Sequence, residues 1–174
     1  MKIDHSYFLY FKNICGQHNF IVKLFLFFSQ KQAFFLKKLL VFVLVDIDNF
    51  KIYNDTYGHQ DGDTALQSVA KSLKNTLHRS YDYVFRLGGE EFGLLYFAES
   101  EEDALKIATD AKENVEKLKI KHSGNTASKY ITISSGLYLI KENDINSSDE
   151  IYKKADEALY IAKESGRNKV SIAS

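Results

Sequence analysis

The run Leu39 to Val45, LLVFVLV, is the stretch that most narrows what this chain can fold into. It is too short to span a membrane, and its unbroken apolar character reads as a strand buried on both faces, so both sides of the sheet need cover. It runs into Asp46-Ile47-Asp48-Asn49-Phe50-Lys51, which puts carboxylates where a buried strand emerges. Further on, Tyr81 to Leu87 and Phe92 to Phe97 flank Gly88-Gly89-Glu90-Glu91, a pattern that predicts a β-hairpin turning at the glycines. Glycine accepts turn dihedrals that side chains resist and leaves space in front of the turn. Adjacent carboxylates there raise each other's proton affinity. A bound cation or a proton-transfer role accounts for them; a solvated acidic hairpin tip is the alternative for the tetrapeptide taken alone. If the buried strand pairs beside the hairpin, Asp46 and Glu91 converge with a backbone carbonyl on a hard divalent cation, which prefers oxygen ligands.

The remaining pattern supplies the cover. A helix is predicted over 19–38, a short one over 49–57 closed at Gly58, and a longer one over 63–78 with Ala65, Leu66, Val69, Ala70, Leu73 and Leu77 inward. His59 falls in the intervening turn, as a hydrogen-bonding group or a metal ligand, and Asp63 near the helix start is a favourable charge there. After the hairpin comes a helix with Ala104, Ile107, Ala108, Ala111, Val115 and Leu118 inward. A polar connection over 119–129, a strand over 130–140, a helix over 148–165 and a strand over 169–173 follow. This order, with a hairpin at its centre, predicts an α+β fold whose mostly antiparallel central sheet is covered by helices.

Charge limits the partners. The 174 residues carry no formal net charge, so no global field draws in nucleic acid, and an anionic ligand must be held by local groups. One cysteine, Cys15, excludes an internal disulfide. Residues 1–40 hold six Lys against one Asp, and residues 1–42 hold 11 of the 24 aromatics. Such a basic, aromatic segment suits contact with a membrane surface or another protein. Lys23 and the polar residues 29–32 break its apolar pieces short of the ~20 residues a span needs, and Asp4 speaks against a secretory signal.

Three ordered segments, DIDNFKIYNDTYGHQDGD, FRLGGEEF and KADEALYIAKESGRN, closely resemble the GGDEF-domain diguanylate cyclases in the variant whose signature reads GGEEF. The resemblance covers roughly Leu39 to Ile172. It implies a palm-like nucleotide cyclase fold, a catalytic domain over 39–174 and an atypical segment over 1–38, which lacks the family's usual opening motif and has no sensory domain ahead of it. It further implies condensation of two GTP into cyclic di-GMP by a cytoplasmic homodimer with facing sites.

Carried over residue by residue, the resemblance gives Asp46, Glu91 and the Ile47 carbonyl as ligands of Mg2+ or Mn2+, with Asp46, Glu90 and Glu91 catalytic. Glu90 would accept the proton of the attacking 3′-hydroxyl. Phe50, Lys51, Lys163 and Arg167 match substrate positions; Lys163 and Arg167 would otherwise be favourable cations at a helix C-terminus. Asn54 and Asp63 match the guanine contacts, where a carboxylate accepts from the ring N–H and the exocyclic amine. Asp48 is either a helper behind the metal ligands or a helix N-terminal charge. Arg79-Ser80-Tyr81-Asp82 matches the site at which the cyclic product inhibits. Two other classes of function stay open: a silent receptor for cyclic di-GMP or GTP, and a structural dimerisation module.

Overall fold

The computed structural model describes residues 38–77, 79–140 and 148–173; the helix expected over 19–38 and most of the basic aromatic segment lie outside them. β1 (Leu39–Ile47) is buried along its length after Leu39. Its residues alternate between two cores: Val41, Val43, Val45 and Ile47 enter one, and Leu40, Phe42 and Leu44 the other. Next come α1 (Phe50–Tyr57), α2 (His59–Thr76), β2 (Tyr83–Gly88) and β3 (Glu91–Ala98). They are followed by α3 (Glu101–Glu116), β4 (Ile133–Ile140), α4 (Ser148–Glu164) and β5 (Val170–Ile172). The five strands lie in the order β2-β3-β1-β4-β5, antiparallel except for β4 and β5. This is the expected α+β fold with β1 at its centre.

Each face is covered as the apolar run requires. α1, α2 and α3 close the first core through Phe50, Tyr53, Ala65, Leu66, Val69, Leu73, Ala104, Ala108, Ala111 and Val115. Among the described residues, α4 closes the second, through Ile151, Ala155 and Leu159. α3 starts cleanly because the Ser100 hydroxyl accepts the Asp103 N–H at 3.1 Å, with acidic residues at 101–103 beside the positive helix end.

The structure moves three expected boundaries. α2 begins at His59, four residues before the predicted start, because Gly58 alone, at φ 87°, makes the corner between α1 and α2. β4 begins at Ile133; Tyr130 forms only an isolated bridge to Lys121, and residues 131–132 run on to the strand without joining it. α3 ends at Glu116, so Leu118 lies past its last turn and is 39% exposed rather than inward.

Gly136 sets the seat of α4 on the sheet. A Cβ there would stand 2.0 Å from the Ala155 carbonyl oxygen and 2.3 Å from the Leu159 nitrogen, both backbone atoms that cannot swing aside. Gly136→Ala should therefore push α4 off β4 and cost roughly 3 kcal/mol, the upper part of the range for overpacking. Urea unfolding checks this, and an unchanged midpoint would contradict the close packing.

Candidate functional site

Asp46 and Glu91 are direct cross-strand partners where β1 leaves the sheet beside β3. Partners in a ladder point to the same face, and the alternation along β1 makes it the face covered by α4. Lys163, in the last turn of α4, reaches over and places its Nζ 2.9 Å from Asp46 Oδ2. Asp46 is 9% exposed. Burial pushes its carboxyl up from its ordinary 3.8 to about 6; the Lys163 hydrogen bond and charge pull it down, and Glu90 and Glu91 push it up again. One buried carboxylate with two more beside it is a site short of positive charge.

The turn carrying Glu90 and Glu91 is held from below. Arg86 donates from Nε and Nη2 to the Gly89 carbonyl at 3.0 and 2.8 Å, a two-pronged grip on a residue at φ 47°. The ladder shifts register between Arg86 and Gly88, and nothing stands within 4 Å of where a Cβ on Gly88 or Gly89 would sit. Both glycines therefore border open space at the turn. Arg86 was not among the expected site residues.

Asp48 neither caps α1 nor faces the ladder. Asn49 is the N-cap, without a side-chain bond, and Asp48 is 1% exposed. Its carboxylate accepts the Thr132 hydroxyl at 2.7 Å, the Ser134 hydroxyl at 2.6 Å and the Asn168 backbone N–H at 3.1 Å. It ties the end of β1 to β4 and to the loop after α4. The neighbouring corner at Asn49, φ 55°, is fixed by His122, which is fully buried and donates from Nε2 to the Asn49 carbonyl at 3.1 Å. Burial holds the His122 imidazole below its usual range.

The loop after α4 carries Arg167. Gly166, at φ 109°, ends the helix: Arg167 N–H bonds to the Ala162 carbonyl and Gly166 N–H to that of Lys163, the paired closure of a Schellman motif. Arg167 and Asn168 then continue at φ 60° and 49°. Left-handed residues with side chains cost on the order of 1–3 kcal/mol each, so the surroundings must hold them.

The candidate guanine contacts meet at the α1–α2 junction. A Cβ on buried Gly62 would lie 1.8 Å from Asn54 Oδ1, so the glycine makes room for the Asn54 side chain directly before Asp63. Asp63 is exposed and lies beyond the first turn of α2, whose acidic residue is Asp61, so its reading as an N-terminal charge falls. Lys51 is exposed. The Phe50 side chain is in the core, stacked on Tyr53 at 5.9 Å, leaving its backbone as the part able to face a ligand.

Arg79 and Asp82 stand apart, closing a turn before β2. The Asp82 carboxylate accepts the Arg79 backbone N–H at 3.1 Å, the Arg79 carbonyl accepts the Asp82 N–H at 3.0 Å, and Arg79 Nη1 donates to the Phe97 carbonyl at 3.0 Å.

With this geometry in view, the family can be assigned. The model of the GGDEF domain, diguanylate cyclase, matches residues 24–169. The chain belongs to the GGDEF-domain family. The probable diguanylate cyclase DgcT of Escherichia coli K12 is 42% identical over 130 residues, 75% of this chain and 28% of that protein. The chain thus spans less than a third of that relative's length. Among solved structures, the GGDEF domain of PA1120 (YfiN or TpbB) from Pseudomonas aeruginosa matches with a TM-score of 0.74 and 30% identity, over 88% of this chain and 94% of that one. The GGDEF domain of DgcB from Caulobacter crescentus, in complex with c-di-GMP, matches with a TM-score of 0.72 and 30% identity, over 84% and 85%.

The residues present fit the divalent cation that this GGDEF family implies. Asp46 and Glu91 offer carboxylate oxygens, the donors a hard cation takes. Ile47, with its side chain buried, has only its carbonyl to add. Among the described residues no group of three His, Cys, Asp or Glu side chains converges, so a small ligand set completed by water and phosphate is what the site can supply.

Two predictions follow from the geometry. Folding raises the pKa of Asp46, so its proton stabilises the native state fully below pH 3.8, and that contribution is lost as pH rises through about 6. Asp46→Asn should stabilise the metal-free protein above pH 6 by on the order of 1–3 kcal/mol, shrinking toward pH 4. Urea unfolding in chelator across that range measures it, and a gain independent of pH would contradict the burial argument. Gly62→Ala should displace the Asn54 side chain with little loss of stability, because the obstructing atom is at the end of a side chain. Guanosine and adenosine triphosphates should then bind with closer affinities than to the parent, which calorimetry reads; unchanged discrimination would remove Asn54 from base recognition.

Proposed function

We propose that this chain condenses two GTP into cyclic di-GMP with release of two pyrophosphates, as a homodimer in which each domain holds one GTP. The observation that carries this reading is the pairing of Asp46 with Glu91 at the end of the central strands, beneath Lys163 and beside the Gly88–Glu91 turn. The printed names of the relatives agree with it: DgcT is named a probable diguanylate cyclase, and the DgcB domain was solved with c-di-GMP.

In this reading Asp46, Glu91 and the Ile47 carbonyl hold Mg2+ or Mn2+. Such an ion, when bound, neutralises phosphate charge and lowers the pKa of a coordinated hydroxyl. Lys163 holds the Asp46 carboxylate in the metal-free chain and turns to the phosphates in the loaded one. Arg167 and Lys51 provide further positive charge, with the Phe50 backbone beside them. Glu90 takes the proton of the 3′-hydroxyl as its oxygen bonds to the α-phosphorus of the facing nucleotide and the bond to the bridging oxygen breaks, releasing pyrophosphate. A carboxylate is a weak base for an alcohol, so Glu90 works chiefly through position.

Asn54 and Asp63 select guanine, since adenine lacks the amine that would satisfy the carboxylate. Arg79 and Asp82 bind the cyclic product once the Arg79 guanidinium turns from Phe97, and residues 1–38 contact a membrane surface or protein partner from the cytoplasm. Among the described residues no helix is long and apolar enough to cross a membrane.

Incubation of the purified chain with GTP and Mg2+, followed by chromatography, tests the reading: cyclic di-GMP and pyrophosphate should appear in a 1:2 ratio, faster than linearly with protein concentration. Glu90→Ala should lower the rate by roughly 10²-fold, the scale of lost positioning, and the isosteric Glu90→Gln by less. GTP binding without any product, even in a chain forced to dimerise by a fused helix, would favour the silent receptor instead.

A further inference from the structure

Glu116 stands at the C-terminal end of α3, outside every residue group assigned so far. It meets the loop after α4 although the two helices cover opposite faces of the sheet. Its Oε2 accepts the side-chain N–H of Asn168 at 2.9 Å, and its Oε1 accepts the Ser128 hydroxyl at 2.8 Å. Asn168 is gripped at two further points. Its backbone N–H goes to Asp48 at 3.1 Å, and its side-chain oxygen accepts from Lys112 Nζ at 3.3 Å. The Asn168 bond is the largest of the causes holding the Glu116 carboxyl below its usual range.

A single such bond would be ordinary packing, but this one falls on the last of three consecutive residues with positive φ, Gly166, Arg167 and Asn168. Two of them carry side chains that disfavour that backbone. Asp48 restrains the backbone of this turn, and Glu116 with Lys112 restrains its side chain, so the direction in which Arg167 leaves the turn depends on both. We infer that Glu116 is a positioning residue for the triphosphate site, acting through Asn168 to fix the strained turn from which Arg167 projects. The inference rests on the reading of Arg167 as a phosphate contact. It assigns specificity for the phosphate tail to a side chain on the opposite helix layer.

The test is a double-mutant cycle on the full chain, with the affinity for GTP and Mg2+ read by calorimetry and folding checked by thermal melting. Glu116→Ala should weaken GTP binding roughly five- to tenfold, the scale of one typical net hydrogen bond. Glu116→Gln keeps an acceptor for Asn168 and should recover most of that loss. In an Arg167→Ala background, Glu116→Ala should cost less than about twofold more, because its route to the ligand is gone. Equal costs in both backgrounds, or unchanged GTP affinity in Glu116→Ala and Glu116→Gln alike, would overturn the inference while leaving Arg167 as a contact. An Arg167→Ala chain that binds GTP as well as the parent would instead overturn the phosphate reading, and this inference with it.

Discussion

A carboxylate buried at the end of the central strand is the constraint on which this structure turns. Asp46 lies near the end of a strand whose other residues are apolar, and at 9% exposed it too is buried. Leaving such a charge unpaired is costly, and the pairing with Lys163 at 2.9 Å offsets only part of the cost, since the proton affinity of Asp46 stays raised. The fold keeps this expensive arrangement at the one place where Glu90 and Glu91 also gather. A buried carboxylate whose proton affinity is raised by desolvation, with further acids beside it, is a functional-site candidate on physical grounds.

The elements around Asp46 are placed to hold that charge and little else. β1 is central because only a strand with neighbours on both sides and helices on both faces can bury its apolar run, and its pairing with β3 brings Asp46 into register with Glu91. α4 approaches closely because Gly136 lacks a side chain, which brings Lys163 over the strand end. Asp48, two residues on, then uses its own buried charge as a knot, satisfied by Thr132, Ser134 and Asn168. One end of one strand thus organises both the acidic cluster and the loop that carries Arg167.

Much of this was legible in the residues. The apolar run, the diglycine hairpin and the helical stripes report local periodicity, and periodicity survives in a sequence. The pairing of Asp46 with Glu91 was legible because each flanks a predicted strand, so pairing the strands pairs the acids. What was not legible depends on contacts between distant segments. Asp48 read as either a helper behind the metal ligands or a helix N-terminal charge, because Thr132, Ser134 and Asn168 are 84 to 120 residues away. Arg86 read as an ordinary strand residue, although its grip on Gly89 is short-range and the tight turn was a signal that could have found it. The early start of α2 was missed because a single glycine at positive φ replaced the loop that Gly58 and His59 suggested. Glu116 carried no signal, being one of many charges on an amphipathic helix.

The central claim, that Asp46 is a seat for one cation at a time, can be tested without any turnover. Calorimetric titration of Mn2+ into nucleotide-free protein at pH 8 compares the parent with Lys163→Met, in which the competing ammonium is gone. The account predicts tighter Mn2+ binding by Lys163→Met and no specific binding once Glu91→Ala is added. Equal or weaker Mn2+ affinity in a folded Lys163→Met chain would contradict it.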